Sequence, residues 1–394
     1  MYGSAYNQVQ LINGQELHEH NAYGLGKTIA VIDAGFSGIE NISAFKNIRN
    51  NLVDSYDFIA KDNLLSTEDG HGTKILSILA ATEMGRFYGS AVDSKYALYI
   101  VESSKYEQLI EEYFWAMAAE RADSVGCDII TSSLGYNTFD HSYMNHSIVD
   151  LSKGQVPITF AATKAVQKGV LTFISAGNEG NKSWKYITFP ADSPEVIAVG
   201  AINIDREPAL FSSIGLPNTI KPDVACLGAN ATVIDADGDV VQVSGTSYAA
   251  PQIAGFAACL WSIFPQISAK EMRTTILTSS SNIANPNNQV GYGIPDFKKA
   301  YESLSSRYSF VNKAIEIGPN PFLQKINLYM STSRTGEAIY HFINMKGVIC
   351  KSGKVFFTMG KGEIGNLSSL PDGVMILQII FVDCSFTKKI IKIS

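Results

Sequence analysis

The chain has 394 residues, more than one ordinary domain and fewer than four, and its 46% apolar residues can fill a sizeable core. A net charge of −6 with no Lys/Arg-rich run speaks against a nucleic-acid partner, because phosphate binding needs a basic footprint. No apolar run of about 18 residues occurs, so no membrane span is expected, and the polar stretch Met1–Leu11 lacks the apolar segment of a signal peptide.

The first 300 residues alternate strand-like and helix-like stretches. Thr28–Ile32 is a β-branched apolar run that stops at Asp33. Gly72–Ala81 reads as a helix and Tyr96–Val101 as a strand. Over Glu107–Val125, Leu109, Ile110, Tyr113, Phe114, Met117, Ala118 and Ala122 recur at helical spacing, and Gly126 ends the run. Strands are expected at Asp128–Thr131, Val170–Ser175 and Glu195–Ile202, with a helix over Thr159–Lys168 between the first two. A helix follows Ser247 and ends at Pro265, and Ser268-Ala-Lys-Glu271 has the spacing of a capping box. A last helix lies around Asp296–Leu304, ahead of a polar connector, Ser305–Ser309. This rhythm predicts an α/β fold, a parallel sheet flanked by helices.

Beyond Gly318-Pro-Asn-Pro-Phe322 the helical pattern gives way to short β-rich runs at Lys325–Met330, Ala338–Asn344, Lys354–Thr358, Val374–Val382 and Lys388–Ile393. They predict a small C-terminal all-β sandwich. The domains are therefore expected at residues 1–308 and 317–394. Five cysteines, Cys127, Cys226, Cys259, Cys350 and Cys384, with no C-x-x-C, suggest neither a disulfide framework nor zinc. They read as small buried apolar residues, with a Cys350–Cys384 pair left open.

Peptide-bond hydrolysis by a serine needs a base, a carboxylate to orient it, donors for the oxyanion and a cleft for the chain. Asp33 ends a strand, where α/β sheets place their active sites. His71 lies in Asp69-Gly-His-Gly-Thr73 just before a helix, and Ser247 lies in Ser244-Gly-Thr-Ser-Tyr-Ala-Ala-Pro251 at the start of another. A helix N-terminus adds positive potential and free N–H groups. Asn178, in Ser175-Ala-Gly-Asn-Glu-Gly180, ends a strand and carries an amide donor. Each alone has a bland reading: a turn, an N-cap, a helix cap or a loop Asn. Together, in the order Asp–His–Asn–Ser on an α/β pattern, they point to one site.

These four segments resemble the signatures of the subtilisin-like serine proteases, over about residues 20–302. Ser132-Ser-Leu-Gly135, Lys221-Pro-Asp-Val224 and Gly291-Tyr-Gly293 extend the resemblance. It implies Ser247 as nucleophile, His71 as general base and acid, Asp33 as its orienter, and Asn178 with the Ser247 N–H as oxyanion hole. It further implies that polypeptide substrates bind beside Ser133, Leu134 and Gly135, and beside Ala176 and Gly177. No cofactor is expected; the calcium sites of many relatives cannot be traced in this sequence, so no metal is assigned. Lys74 departs from the small or apolar residue common after His-Gly-Thr.

Gly318-Pro-Asn-Pro-Phe322, Leu370-Pro-Asp-Gly373 and Thr387-Lys-Lys-Ile-Ile-Lys392 resemble a C-terminal sorting domain of the type IX secretion pathway of Bacteroidetes. That resemblance implies a secreted or cell-surface protein that engages secretion machinery; the alternative is an ordinary accessory β-domain. For the whole chain, the competing reading is a catalytically silent surface binding or adhesion protein on the same fold.

Gly24-Leu-Gly-Lys-Thr28 fails as a phosphate loop, because position 21 is Asn and the stretch precedes its strand. Asp235-Ala-Asp-Gly-Asp239 lacks the later Gly and final Glu of a calcium loop and reads as a hairpin turn between Ala231–Ile234 and Val240–Val243. His18, His20, His141 and His146 lack zinc-helix spacing and are expected in solvated loops. Trp115 and Trp261 are expected in the core.

Overall fold

The computed structural model describes residues 1–65, 69–313, 315–330, 334–381 and 385–394. The chain divides into two compact units, Met1–Tyr301 and Glu302–Ser394.

The first unit is built on a seven-stranded parallel sheet. Its strands are β1 (Thr28–Asp33), β2 (Leu52–Asp57), β3 (Lys95–Ile100), β4 (Ile129–Ser132), β5 (Leu171–Ser175), β6 (Ile197–Ile202) and β7 (Val224–Leu227). Their order is β2-β3-β1-β4-β5-β6-β7. From β1 the chain builds outward first one way, through β3, and then the other, from β4 onward. A crevice therefore opens at the carboxyl ends of β1 and β4, where an α/β sheet binds its ligands.

Strand residues alternate between the two faces; in β1 and in β4 to β7 both faces are buried, which is why these runs are largely apolar, whereas the edge strand β2, Leu-Val-Asp-Ser-Tyr-Asp, is only part-buried. Ala30 and Ile32 of β1 and Ala97 and Tyr99 of β3 share a core with Trp115 and Ala118. That core is closed by two mutually packed helices, α2 (Ile110–Ser124) and α3 (Pro157–Gln167). Helix α4 (Thr246–Ile263) packs on β4, β5, β6 and β7, and against α1 (His71–Ala80). Helix α5 (Ala269–Thr278) begins at Ser268, whose Oγ accepts the Glu271 N–H at 3.2 Å. The turn at Asp235–Asp239 joins the antiparallel strands β8 (Ala231–Ile234) and β9 (Val240–Val243), as its sequence predicts.

Helix α2 presents a different face from the one its apolar spacing suggests. Ile110, Tyr113 and Met117 are about half exposed, while Glu111 and Glu112 are buried beside Trp115, Ala118, Ala119 and Ala122. The small alanines let the helix approach its neighbours closely. The two glutamates are tolerated because each has polar partners: Glu111 accepts the N–H groups of Ser103 and Gln108, both at 2.8 Å, and Glu112 bonds His146. Two histidines are likewise not the solvated loop residues expected. His18 is buried between the Tyr2 hydroxyl and the Ser90 carbonyl, each at 2.7 Å, and burial pushes its pKa down to about 4. His146 is held against Glu112, whereas His20 and His141 are exposed. Trp115 and Trp261 are both buried.

The expected connector Ser305–Ser309 is helical. It lies inside α6 (Phe297–Lys313), because no Gly or Pro interrupts residues 297–313 and serine is no helix breaker.

The second unit carries β10 (Ile315–Gly318), β11 (Ile326–Met330), β12 (Gly336–Asn344), β13 (Ile349–Phe357), β14 (Lys361–Ile364), β15 (Gly373–Ile380) and β16 (Ser385–Lys392). They form two antiparallel sheets, β10-β11-β14 and β13-β12-β15-β16. Ile326, Leu328 and Ile364 of one sheet share a core with Phe342, Leu377 and Ile390 of the other, which makes a small sandwich. Alternation is clearest in β15, where Met375, Leu377 and Ile379 point inward. Cys127, Cys226 and Cys259 are buried and unpaired, but Cys350 is exposed. Cys384, the partner left open for it, lies outside the described residues.

Candidate active site

Four elements of the first unit converge on the crevice. Strand β1 ends at Asp33, and the next residue ties that carboxylate down: the Ala34 N–H donates to Asp33 Oδ1 at 2.9 Å. His71 is the first residue of α1, fixed by its own N–H donating to Asp69 Oδ1 at 2.6 Å. Its ring nitrogen Nδ1 then reaches Asp33 Oδ1 at 2.7 Å. Asp33 is fully buried and its Oδ2 has no hydrogen-bond partner among the described residues, so its charge acts at short range on the imidazole. Burial pushes the His71 pKa down. The charge and hydrogen bond of Asp33, with Asp69 and Glu102 farther out, outweigh burial and hold it above the ordinary value. Tyr248 packs beside the ring, centroids 5.9 Å apart.

Ser247 lies in the first turn of α4, where main-chain N–H groups have no intrahelical acceptor. Its hydroxyl donates to the Ser133 carbonyl at 3.2 Å.

Asn178 follows the end of β5. Its Oδ1 accepts the Thr246 N–H at 2.9 Å and the Thr246 hydroxyl at 3.1 Å. A backbone N–H can only donate, so it fixes which amide atom is oxygen. Nδ2 is thereby left as the outward donor. Thr246, fully buried, also accepts the Gly177 N–H at 3.2 Å. It joins the β5 turn to α4, a role that nothing in the one-dimensional pattern marks. Gly177 has φ +103°, and a Cβ there would lie 2.8 Å from Thr188 Oγ1 and 2.9 Å from Ser213 Oγ, so only glycine suits this turn.

His71, Asn178 and Ser247 line one cleft of about 350 Å³, together with Ser133, Leu134 and Gly135. Gly177 forms its wall at the end of β5. Ala176 is instead fully buried in the core, and its carbonyl accepts the Thr188 N–H at 3.1 Å. The other wall is acidic. Burial, reinforced by neighbouring carboxylates, pushes Glu102 up to about 8 and Glu107 up to about 7. Among the described residues, no group of three or more His, Cys, Asp or Glu side chains could hold a metal ion.

The chain is similar to known proteins in sequence and in fold. The profile of the subtilase family of peptidases matches residues 24–293. The chain is 25% identical over 283 residues to subtilisin DY of Bacillus licheniformis, covering 70% of this chain and 92% of that one. It is 28% identical over 284 residues to subtilisin NAT of Bacillus subtilis subsp. natto, covering 70% of this chain and 66% of the relative. Among solved structures, the MycP3 protease of the type VII (ESX-3) secretion system aligns with TM-score 0.62 at 23% identity, over 76% of this chain and 88% of that one. The prenylagaramide maturation protease PagA aligns with TM-score 0.60 at 21% identity, over 74% and 98%. At these identities the structural likenesses show the fold.

Proposed function

The chain belongs to the subtilase family of serine endopeptidases, and we propose that it hydrolyses peptide bonds through Asp33, His71 and Ser247, with Asn178 as an oxyanion donor. The observation that carries this reading is the His71 Nδ1–Asp33 Oδ1 contact of 2.7 Å. It holds the imidazole with Nδ1–H toward the carboxylate and leaves Nε2 free to accept a proton. At the start of the reaction the Ser247 hydroxyl turns from the Ser133 carbonyl to Nε2. As Oγ attacks the scissile carbonyl carbon, its proton passes to His71 and the carbonyl π electrons move to oxygen. Asn178 Nδ2–H and the Ser247 N–H meet that oxyanion. On collapse, the C–N bond breaks and His71 gives its proton to the leaving amine. Water then repeats the sequence on the acyl-enzyme.

The substrate runs extended beside Leu134–Gly135 and pairs its main chain there as an added strand. Gly135 suits that approach, having no side chain to block it. Adhesion without catalysis would have no use for the His71–Asp33 contact or for the orientation of Asn178. The discriminating experiment is reaction with a serine-directed phosphonate: the adduct is expected on Ser247, found by mass spectrometry of digested protein. Intact protein after prolonged exposure would favour the silent binding reading.

Residues 317–394 serve, on this proposal, as a sorting domain that engages secretion machinery, and the protein acts at the cell surface or outside. Two observations support it: the motif resemblance at both ends of the segment, and the separate sandwich core. A relative found by sequence, of which this chain covers 40%, is the minor extracellular protease Epr of Bacillus subtilis. No helix among the described residues is long and apolar enough to cross a membrane. Deleting 317–394 leaves α6 whole and the second core absent. The surface and medium fractions should then lose the protein, while the purified remainder hydrolyses peptides at nearly the full rate. Undiminished export in fractionated native cells would reject the sorting role.

A further inference from the structure

Helix α4 contains Pro251, four residues after Ser247. In an α-helix the N–H of residue 251 would donate to the carbonyl of residue 247. Proline has no N–H, so that carbonyl loses its intrahelical donor. Ser247 is buried, and a buried carbonyl needs a partner. It has one from another element: Ser133 Oγ donates to the Ser247 carbonyl at 2.8 Å. The exchange is reciprocal, since Ser247 Oγ donates to the Ser133 carbonyl at 3.2 Å. Ser133 immediately follows β4, so the pair fastens the carboxyl end of this central strand to the first turn of the helix.

We propose that Ser133 is a positioning residue for the nucleophile: its hydroxyl replaces the helix donor that Pro251 lacks and fixes the Ser247 main chain against the end of β4. This rests on Ser247 being the nucleophile. That bond restrains rotation about the Cα–C bond of Ser247 and so steadies the residue that carries both the attacking Oγ and the oxyanion-facing N–H. A slack turn would displace attacking atom and oxyanion donor together, and a displacement of about 1 Å can cost on the order of 10² in rate. Gly135 and Leu134 meet the substrate from the same segment, so one hydroxyl sets nucleophile and cleft wall in a common frame.

The test is a double-variant cycle in the full chain. Ser133→Ala should lower kcat by about ten- to a hundredfold with little change in KM, and should slow phosphonate labelling of Ser247 in proportion. Ser133→Thr, which keeps the hydroxyl, should retain most of the rate. Pro251→Ala returns an N–H to the helix at the position that bonds the Ser247 carbonyl. Added to Ser133→Ala, it should therefore recover most of the lost kcat and labelling rate. A purely structural role for Ser133 would move thermal stability without that rescue. Additive losses in the double variant, or Ser133→Ala within about twofold of the parent, would overturn the proposal. So would a double variant that fails to fold where Ser133→Ala also fails. If the parent protein is not labelled at Ser247, the catalytic reading itself fails and this inference falls with it. Labelling of the parent and of Ser133→Ala at equal rates removes the positioning role alone.

Discussion

Ser247→Ala is expected to abolish peptide hydrolysis, lowering kcat by about 2 × 10⁶, the value known for the nucleophile of subtilisin and carried over here as a family magnitude. The fold should survive. The hydroxyl lost makes one bond, to the Ser133 carbonyl at 3.2 Å, and a single neutral hydrogen bond is worth about 1 kcal/mol. The main-chain carbonyl that Ser133 holds at 2.8 Å is untouched, and alanine favours the helix. Residual rate above water should remain, since Asn178 and the cleft still bind the polarised carbonyl. Steady-state kinetics beside a thermal melt check both halves of the expectation. Retention of more than a few per cent of the parental kcat in a folded variant would remove Ser247 from its role.

Asp33→Asn should cost about 10⁴ in kcat, the size of the corresponding change in a serine protease of another fold. Asp33 Oδ1 takes the Ala34 N–H and faces His71 Nδ1. An asparagine that turns its NH₂ toward the ring would fix the wrong tautomer, with Nε2 protonated and unable to act as base. One that keeps its oxygen there still lacks the charge that stabilises the imidazolium formed during attack. The two cases share a pH signature. Burial alone pushes His71 down, and the Asp33 charge is the largest influence raising it. His71 must be neutral to accept the serine proton, so activity is lost as pH falls through its pKa. Removing the charge lowers that pKa, and the acid limb of kcat/KM should move to lower pH even as the plateau drops. A limb that stays in place, or moves up, would mean that Asp33 does not govern the titration.

Much of this could be read along the chain. Five strands of the parallel sheet, β1 and β3 to β6, are short, largely apolar and buried runs, and such runs announce themselves locally through composition and the turns that bound them; the part-buried β2 and the four-residue β7 are legible only in the structure. The residues proposed for catalysis are legible for a related reason. Asp33 at a strand end, His71 and Ser247 at helix starts and Asn178 after a strand all stand where element boundaries expose polar groups, and the glycines flanking His71 and preceding Asn178 mark close backbone approach. Five sandwich strands of the second unit, β11, β12, β13, β15 and β16, show along the chain, with period-two alternation clearest in β15; the four-residue β10 and β14 do not.

Other features depend on which surfaces meet. Helical spacing says that α2 has an apolar stripe, but which stripe is buried depends on the shape of the neighbouring sheet and helix. There the small alanines and Trp115 outcompete Ile110, Tyr113 and Met117, and Glu111 and Glu112 go inside because distant groups satisfy them. The continuation of α6 through Ser305–Ser309 likewise overrides a polar stretch whose composition suits a connector equally well.

The sequence alone determined the α/β class, the β-rich tail, and the identity and order of the candidate catalytic residues, because each of these leaves a local mark in residue type and spacing. Only the tertiary structure decided that His71 Nδ1 meets Asp33, that Thr246 turns the Asn178 amide outward, and that Ser133 supplies the donor Pro251 withholds from Ser247. Those bonds join residues 38, 68 and 114 positions apart. Contacts at such separations are set by the packing of whole elements, and no local periodicity encodes them.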